Sequence, residues 1–351
     1  MGVWMYEGEL KIDLTFISFD PQRDIKNKKK VEKFLDEEGL SYLDDIEFTI
    51  AVFNHNEVIA TGSLDDNVLK CFAVREDFKN RGLTNEIVKL LTEKEFENNK
   101  THLFIYTKPE NCELFESLGY HTIAKIEGLV ALLENKANGL KKYLQKLSET
   151  RVEGDNISSI VMNCNPFTKG HLFLIEKAAK ENDIVHLFIL TEDKSEFSTY
   201  DRLAMVKVGV AHLDNVIIHE AGKYIISNAT FPSYFIKGQE KIVKAHAYLD
   251  LNLFSKYIAK TLNITCRYVG EEPLSNVTND YNEYMKDILP DYGIDVIEVP
   301  RLEYNGQAIS ASRVREFLLE NKLDMIKELV PKTTFDYLLN LNKQNNIFGG
   351  I

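Results

Sequence analysis

The sequence predicts an α/β protein of two domains, the second of them built on a parallel sheet. A chain of 351 residues with 44% hydrophobic content is long enough to form two separate cores. In the second half, short apolar runs such as 184–190 alternate with helical patterns, as buried parallel strands and their crossover helices do. Leucines at helical spacing within 135–150 indicate a connecting helix. The predicted bounds are 1–135, a linker over 136–152, and 153–351.

The first domain begins with a charged helical pattern and continues as strands joined by turns. Polar residues between two apolar runs indicate a hairpin at 54–57. Apolar residues at helical spacing predict a helix from about Leu83, and Gly119 is placed to end a later one. The predicted elements in order are a helix over 24–38, strands over 48–53, 58–63 and 68–74, the helix from Leu83, a strand over 103–107, and a helix ending at 114–120.

A basic turn precedes the predicted helix at Leu83. Lys79, Arg81 and Gly82 lie between a strand and that helix, an arrangement that suits a pyrophosphate. The turn resembles motif A of the GNAT acetyltransferases, and 114–120 (LFESLGY) resembles their LYEKLGF helix end. The resemblance implies a GNAT-like α/β fold and a coenzyme A-type pyrophosphate at Lys79 and Gly82. Lys79 stands where the family has Gln or Arg, and Thr84 where it has Gly or Ala.

No strong candidate for the general base of an acyl transfer follows from the first domain's sequence. Glu76 and His121 are the two candidates, and a structural role is expected for each. We therefore expect this domain to bind or position a molecule and not to catalyse independently.

The stretch Ile157–His171 (ISSIVMNCNPFTKGH) organises the second domain. An apolar strand, a polar turn and an immediate helical pattern form half of a Rossmann-like nucleotide-binding unit. A helix start offers free N–H groups and a positive dipole end, which suit phosphate. Gly170 lets a phosphate approach the backbone, and His171 can donate a hydrogen bond to it. The other residues expected at this site are Asn163, Cys164, Thr168 and Lys169.

Two motifs resemble those of the nucleotidyltransferase superfamily. Thr168 and His171 fit its [HT]xGH signature, and 309–315 (ISASRVR) fits its late ISxSxxR motif at Ile309, Ser310, Ser312 and Arg315. Each taken alone also fits an ordinary capped helix. Together, in this order, they predict two helix starts that meet around one nucleotide.

Polar residues follow the other predicted strands of this domain, at the edge where ligands of parallel sheets gather. Gly270 and Glu271 are expected at the ribose or adenine. Glu192 and Asp193 are candidate outer ligands of Mg²⁺, although solvated turn carboxylates are the commoner case. The run 234–253 has a helical pattern rich in tyrosine, which indicates packing.

Charge and cysteine content exclude several classes of function. The net charge of −12 disfavours binding to nucleic acid. The four cysteines form no CxxC pair, which argues against a zinc site and a disulfide framework and favours a reducing, cytoplasmic location. The N-terminus is too polar for a signal peptide, and no apolar run is long enough to span a membrane.

A GNAT-like module before a TxGH and ISxSxxR module resembles the citrate lyase ligases across essentially the whole chain. The matching segments are VMNCNPFTKGH, TEDKSEFS, VGEEPLSNVTNDYNEYMK, VPR and ISASRVR. The resemblance implies that ATP and acetate acetylate the thiol of a phosphoribosyl-dephospho-coenzyme A arm on the citrate lyase acyl carrier subunit, with release of AMP and pyrophosphate. Mg²⁺ is expected with the triphosphate.

The resemblance also assigns roles to residues. It implies that Thr168, Lys169 and His171 contact the ATP phosphates, and that Ser310, Ser312 and Arg315 bind the β- and γ-phosphates. Asn163 and Cys164, at the strand end, are expected under the nucleotide, and packing is the expected role of the Cys164 thiol. Two other interpretations stay open at this point. One is an adenylyltransferase acting on pantetheine phosphate or nicotinamide mononucleotide, and the other is a non-catalytic regulator that binds ATP or coenzyme A.

Overall fold

The structure, a computed structural model, describes residues 14–191, 195–227, 231–272 and 276–345. Internal contacts divide the chain into two compact units. The first contains the described residues up to Lys142 together with Pro232–Ala245. The second contains Tyr143–Phe231 and the described residues from His246 onward. The domain bounds drawn from the sequence stay a prediction.

The first unit is built on a seven-stranded sheet with the order β1-β2-β3-β4-β5-β7-β6, in which only β4 and β5 run parallel. Its elements are β1 (Leu14–Phe19), α1 (Ile25–Glu37), β2 (Phe48–Asn54), β3 (Glu57–Asp65), β4 (Val68–Val74), α2 (Leu83–Glu97), β5 (Phe104–Thr107), α3 (Cys112–Ser117), β6 (His121–Ile126) and β7 (Val130–Glu134), followed by α4 (Gly139–Ser148).

Helix α2 packs its apolar face on this sheet. Leu83, Ile87 and Leu91 recur at helical spacing and are buried. The helix crosses β3 at Gly62, where an added Cβ would lie 2.5 Å from Ile87 Cγ2. Only glycine fits there, because a methyl group would overlap the isoleucine.

A segment from later in the chain completes the first unit. Tyr234 is 3% exposed, its hydroxyl donates to the Tyr106 carbonyl at 3.1 Å, and its own carbonyl accepts from the Ser41 N–H at 2.8 Å. Strands β4 and β5 pair only over 68–69 and 104–105, so Tyr234 reaches β5 just beyond the last pair. The segment Pro232–Ala245 is therefore part of the packing of this unit.

The second unit is built on a five-stranded parallel sheet with the order β10-β9-β8-β11-β12. Its elements are β8 (Ile157–Met162), α5 (Lys169–Glu181), β9 (Ile184–Ile189), α6 (Thr199–Gly209), β10 (Val216–Glu220), α7 (Gln239–Leu253, which begins in the first unit), α8 (Lys260–Leu262), β11 (Cys266–Gly270), α9 (Asn276–Ile288), β12 (Asp295–Val299), the hairpin strands β13 (Glu303–Tyr304) and β14 (Gln307–Ala308), α10 (Ala311–Leu319), α11 (Leu323–Leu329) and α12 (Lys332–Asn345).

Strand β8 is the central strand, with β9 on one side and β11 on the other. Successive strands are therefore added in opposite directions from β8, and this reversal is where ligands of open parallel sheets bind. Both faces of the sheet are covered by apolar clusters, as a parallel sheet requires.

Two buried histidines pair on one face of this sheet. His186 Nδ1 on β9 and His219 Nε2 on β10 are 2.9 Å apart, and both side chains are buried. Burial lowers the pKa of each to about 4, and for His219 the neighbouring His186 adds to the effect. Both imidazoles are therefore neutral at neutral pH, and one ring donates to the other.

The prediction of a helix over 234–253 was wrong for residues 234–238. Helix α7 begins at Gln239, after Gly238 with φ +93°, a left-handed conformation outside the helical range. The apolar and tyrosine spacing of 234–238 reflects packing of Tyr234 in the first unit. Beyond α7 the helix continues as a π-helical turn over Phe254–Ala259. Among the described residues, no helix combines the length and apolar character needed to cross a bilayer.

Candidate active site

The turn after β8 is fixed by side-chain amides. Asn163 Nδ2 donates to Ser195 Oγ at 3.1 Å, and Asn165 Oδ1 accepts from the Phe197 N–H at 3.0 Å. The turn is thereby tied to the segment that follows β9, at the carboxyl edge of the sheet. Cys164 between them is buried, with φ +55°.

Thr168 and His171 form a reciprocal cap at the start of α5. Thr168 Oγ1 accepts from the His171 N–H at 3.3 Å, and His171 Nδ1 accepts from the Thr168 N–H at 3.0 Å. The Phe167 ring stacks on the imidazole with centroids 6.0 Å apart. Because Nδ1 is an acceptor, the neutral ring carries its proton on Nε2, which is the one N–H that the side chain can offer to a ligand.

The imidazole of His171 is neutral at neutral pH. Burial lowers its pKa to about 4, and the positive charge of Arg301 adds to the effect. A neutral ring keeps Nδ1 available to accept from the Thr168 N–H, whereas a protonated ring would place an Nδ1–H donor directly against the Thr168 N–H donor. His171 is therefore suited to donate a hydrogen bond from Nε2 and not to act as an acid.

The second motif meets the first at this point. Arg315 on α10 donates through Nη1 to the Asn165 carbonyl and through Nη2 to Ser312 Oγ at 3.2 Å. A Cβ added to Gly170 would lie 3.2 Å from the Ile309 carbonyl oxygen. The predicted meeting of the two helix starts is confirmed by these contacts. They also give Gly170 a role besides access for phosphate, since the Ile309 carbonyl needs the same space.

Within the second motif, Ser310 is the N-cap of α10 and accepts from the Arg313 N–H at 3.3 Å. Ile309 is buried in the core, while Ser312 is exposed beside Arg315. The starts of the two helices therefore meet where Gly170 approaches Ile309, and the Arg315 guanidinium lies on the turn before α5. Helix starts and a guanidinium are groups that suit an anion.

The thiol of Cys164 is unsuited to nucleophilic chemistry. Burial raises its pKa, and the positive charge of Arg202 only partly opposes that effect. The side chain packs in the apolar cluster of the second unit. This agrees with the expectation that it packs at the strand end, while its place under a nucleotide stays a prediction.

Gly270 and Glu271 lie at the carboxyl end of β11. A Cβ added to Gly270 would have no atom within 4 Å, and the Gly270 carbonyl accepts from Asn282 Nδ2 at 3.1 Å. Glu271 is exposed, and its carbonyl accepts from Arg301 Nε at 2.7 Å. The open space over Gly270 is compatible with a sugar or base there, and the role of both residues stays a prediction.

Lys169 is the first residue of α5, and within the described ranges its side chain makes no hydrogen bond or ion pair that would divert it from a phosphate. Glu192 and Asp193 lie outside the described residues. In the part of the chain that the structure describes, no group of three His, Cys, Asp or Glu side chains is arranged to hold a metal ion.

Lys79 and Gly82 belong to the first unit. Lys79 is half exposed and pairs with Glu76, while the nearby Arg81 lies over the Phe78 ring, 5.1 Å from its centroid. Gly82 is the N-cap of α2 with φ +74° and no side-chain cap, so the first N–H groups of that helix are left without one. Of the two weak general-base candidates, Glu76 is thus paired, and His121 is exposed at the start of β6.

Arg202 is a buried residue beside the predicted site, and the sequence did not single it out. It is fully buried on α6 and donates to the carbonyls of Asn163 at 2.9 Å and Leu190 at 2.6 Å, and to the Asn163 amide oxygen at 2.6 Å. It therefore ties together the carboxyl ends of β8 and β9. The available signal was its place in the first turn of a helix, where the dipole disfavours a cation unless acceptors compensate.

Comparison with protein families divides the chain in the same way as the two sheets. The model described as "Citrate lyase ligase C-terminal domain" matches residues 157–338, which is about half of the chain. The model described as "FR47-like protein" matches residues 60–127, within the first unit.

Relatives of known name cover nearly the whole chain. The [Citrate [pro-3S]-lyase] ligase of Escherichia coli (strain K12) is 42% identical over 323 residues, which are 90% of this chain and 92% of that protein. The protein of the same name from Haemophilus influenzae is 40% identical over 89% of this chain and 95% of its own length. The chain belongs to the citrate lyase ligase family.

Membership of the citrate lyase ligase family confirms the predicted enzyme class, a ligase, and disfavours a simple adenylyltransferase. The FR47-like match and the sheets of the two units confirm the predicted GNAT-like α/β fold followed by a parallel-sheet domain. Among solved structures, Thermotoga maritima TmcAL bound with alpha-thio ATP aligns with 54% of this chain and 56% of that one, at 13% identity and a TM-score of 0.36, too low to support an inference.

Proposed function

We propose that the chain uses ATP and acetate to acetylate the thiol of the prosthetic arm on the acyl carrier subunit of citrate lyase. AMP and pyrophosphate are released, and the lyase becomes active. The named relatives support the ligase activity and its target. The acid, the phosphoribosyl-dephospho-coenzyme A arm and the nucleotide come from the family resemblance.

The observation that carries this proposal is the meeting of the two helix starts. The starts of α5 and α10 meet where Gly170 approaches the Ile309 carbonyl, and the Arg315 guanidinium lies on the turn that leads into α5. The neutral His171 ring at the start of α5 adds its Nε2–H as a donor. Fixed donors of this kind favour the charge that develops on a phosphate during transfer, because they need no reorganisation at the moment of reaction.

In the first step an acetate oxygen attacks the α-phosphorus of ATP. A carboxylate–phosphorus bond forms, the bond from that phosphorus to the bridging oxygen breaks, and pyrophosphate leaves. Carboxylic acids with a pKa near 4 are ionised at neutral pH, so the nucleophile needs no general base. The protein's part is to hold the reactants in line and stabilise the charge, which suits a neutral, donating His171.

In the second step the thiol of the arm attacks the acetyl carbonyl of the adenylate. A carbon–sulfur bond forms, the bond from the carbonyl carbon to the phosphate oxygen breaks, AMP leaves, and the thiol proton passes to solvent. We assign the pyrophosphate of the arm to the Lys79–Gly82 turn. The uncapped N–H groups at the start of α2 support that assignment.

Mg²⁺ belongs to the proposal as the companion of ATP. In nucleotide sites this ion is held by the phosphates with one or two carboxylates and water, and not by a protein cage. The site therefore needs no cluster of acidic residues to accept it. A free thiol on the arm and four free cysteines suit a reducing compartment, so we propose a cytoplasmic location.

The decisive experiment is ATP–pyrophosphate exchange with the carrier left out. We expect exchange that depends on acetate and does not occur with phosphopantetheine or nicotinamide mononucleotide. When the thiol-bearing carrier is then added, its mass should increase by that of one acetyl group. Exchange with phosphopantetheine alone would indicate an adenylyltransferase. ATP binding without exchange in any mixture would indicate a regulator.

A further inference from the structure

Arg301 lies at the carboxyl end of β12, where its guanidinium joins two strand ends. Nε donates to the Glu271 carbonyl at 2.7 Å, and Nη2 pairs with a carboxylate oxygen of Glu272. The Arg301 side chain is 27% exposed and that of Glu272 is 13% exposed. The pair is therefore partly shielded from water but open on one side.

Arg301 lies on the same side of the sheet edge as the two motifs that are expected to bind phosphate. The Ile309 N–H donates to the carbonyl of Leu302 at 2.9 Å, so the residue after Arg301 is adjacent to the start of the ISASRVR motif. The Ile309 carbonyl in turn approaches Gly170. The positive charge of Arg301 also contributes to lowering the pKa of His171, as expected for neighbouring groups.

An arginine that is paired with a carboxylate in this way can also bind a phosphate. Carboxylate and phosphate oxygens both accept from the planar fork of arginine, and either can replace the other. The Glu271 carbonyl holds Nε in place, so the rest of the guanidinium keeps its direction if its carboxylate partner changes. Arg301 directly precedes Leu302, whose carbonyl accepts from the Ile309 N–H, so a phosphate held at the start of α10 comes near this cation.

We propose that Arg301 is a further phosphate-binding residue of this site, and that Glu272 holds its guanidinium until a nucleotide phosphate takes its place. The identity of the nucleotide as ATP rests on the proposed function. Glu272 thus competes with the nucleotide, and the two residues have opposite effects on affinity.

The test measures ATP and adenosine affinity of the full-length chain by calorimetry, without acetate. Arg301→Gln should weaken ATP binding by about 10- to 100-fold, the range for one charge-assisted contact, and leave adenosine unchanged. Glu272→Gln should tighten ATP binding by about 2- to 5-fold, because it removes a competing partly exposed ion pair.

Arg313→Gln is the matched control, since Arg313 lies within the ISASRVR motif but its guanidinium donates back to the Ala308 carbonyl at 3.1 Å. Its ATP affinity should stay within about twofold of the wild type, as for other exposed contacts. Weaker ATP binding in both Arg301→Gln and Glu272→Gln, or equal losses for ATP and adenosine, would show that the pair only joins β11 and β12. If Arg301→Gln fails to fold, ATP affinity in Glu272→Gln that is unchanged or weaker overturns the proposal. Failure of the exchange assay with intact ATP binding would count against the ligase function and not against this inference.

Discussion

The starts of α2 and α5 follow related sequence patterns, since each comes after a strand and a turn and has a lysine and a glycine close to the helix start. The two starts nevertheless differ in the structure. At α5, Thr168 and His171 cap each other, and Arg315 joins the turn from a distant helix. At α2, Gly82 offers no side-chain cap, and Lys79 is taken by an exposed carboxylate.

This difference shows that the pattern alone does not determine how strongly an anion is held. Charges and N–H groups in a partly buried place act through a lower effective dielectric than exposed ones, so the same groups contribute more at α5 than at α2. Changes at α5 should therefore affect activity more than changes at α2, and the following predictions test that order.

The largest effect is expected at His171. His171→Ala removes the Nε2 donor and should lower kcat by about 10²- to 10³-fold, as for loss of a preorganised donor to a charged transition state. His171→Asn can still accept from the Thr168 N–H but cannot reach as far, so it should keep thermal stability while losing activity. The measurement is acetate-dependent exchange together with thermal unfolding. His212→Ala, at an exposed histidine paired with Glu176, is the control. Near-wild-type kcat in His171→Ala would place the chemistry elsewhere.

A second test adds one methyl group at each glycine. Gly170→Ala should lower kcat/KM for ATP by about 10-fold, because its Cβ would lie 3.2 Å from the Ile309 carbonyl and displace the two motifs by a few tenths of an ångström. Gly82→Ala meets no atom within 4 Å but has φ +74°, so it should cost about 1 kcal/mol of stability and leave the KM for ATP unchanged. Steady-state kinetics and urea unfolding separate these outcomes. The reverse pattern would contradict the comparison.

A third test concerns the loss of folding stability at acidic pH. The folded-state pKa of His186 and His219 is lowered to about 4 from an ordinary 6.5, so below pH 6.5 the unfolded chain binds more protons than the folded one. The part of the folding stability that depends on these neutral histidines should be fully present above pH 6.5 and fall as the pH drops towards 4. Hydrogen exchange at pH 7 and 5 should show earlier opening of β9 and β10. Replacement of the exposed His55 by Asn should not alter this dependence, and a flat profile from pH 7 to 4 would exclude buried neutral histidines.

The smallest effect is expected at the first turn. Lys79→Ala should weaken binding of dephospho-coenzyme A by only about 2- to 5-fold, since an exposed cation already paired with Glu76 contributes little. Gly82→Asp adds a negative charge beside the helix start and should weaken binding somewhat more. Titration of both variants against the ligand checks this. Unchanged affinity in both would mean that the arm is held elsewhere.

Local pattern was sufficient to predict much of this molecule. The apolar run of β9 and the helix start at Thr168 are encoded in neighbouring residues, and the order of the two motifs predicted that Arg315 would lie near the β8 turn. These predictions succeeded because each depends on spacing within a few residues or on one recognisable pair of motifs.

Other features depend on contacts that spacing does not encode. The acceptors of Arg202 come from two strand ends and a turn, and those of Arg301 come from the neighbouring strand. The apolar neighbours of Tyr234 predict a helix there, yet its hydroxyl donates to the carbonyl of Tyr106, 128 positions earlier. Such partners are determined by the tertiary fold and leave no periodic signal in the sequence.

The inclusion of Pro232–Ala245 in the first unit has a consequence for dissecting this chain. An expression fragment that stops after the connecting helix would leave Tyr106 and Ser41 without their partner Tyr234. The first part of the chain alone does not encode the complete first unit, so a fragment of it should be proteolytically fragile. Domain exchange with relatives requires transplanting the segment Pro232–Ala245 as well.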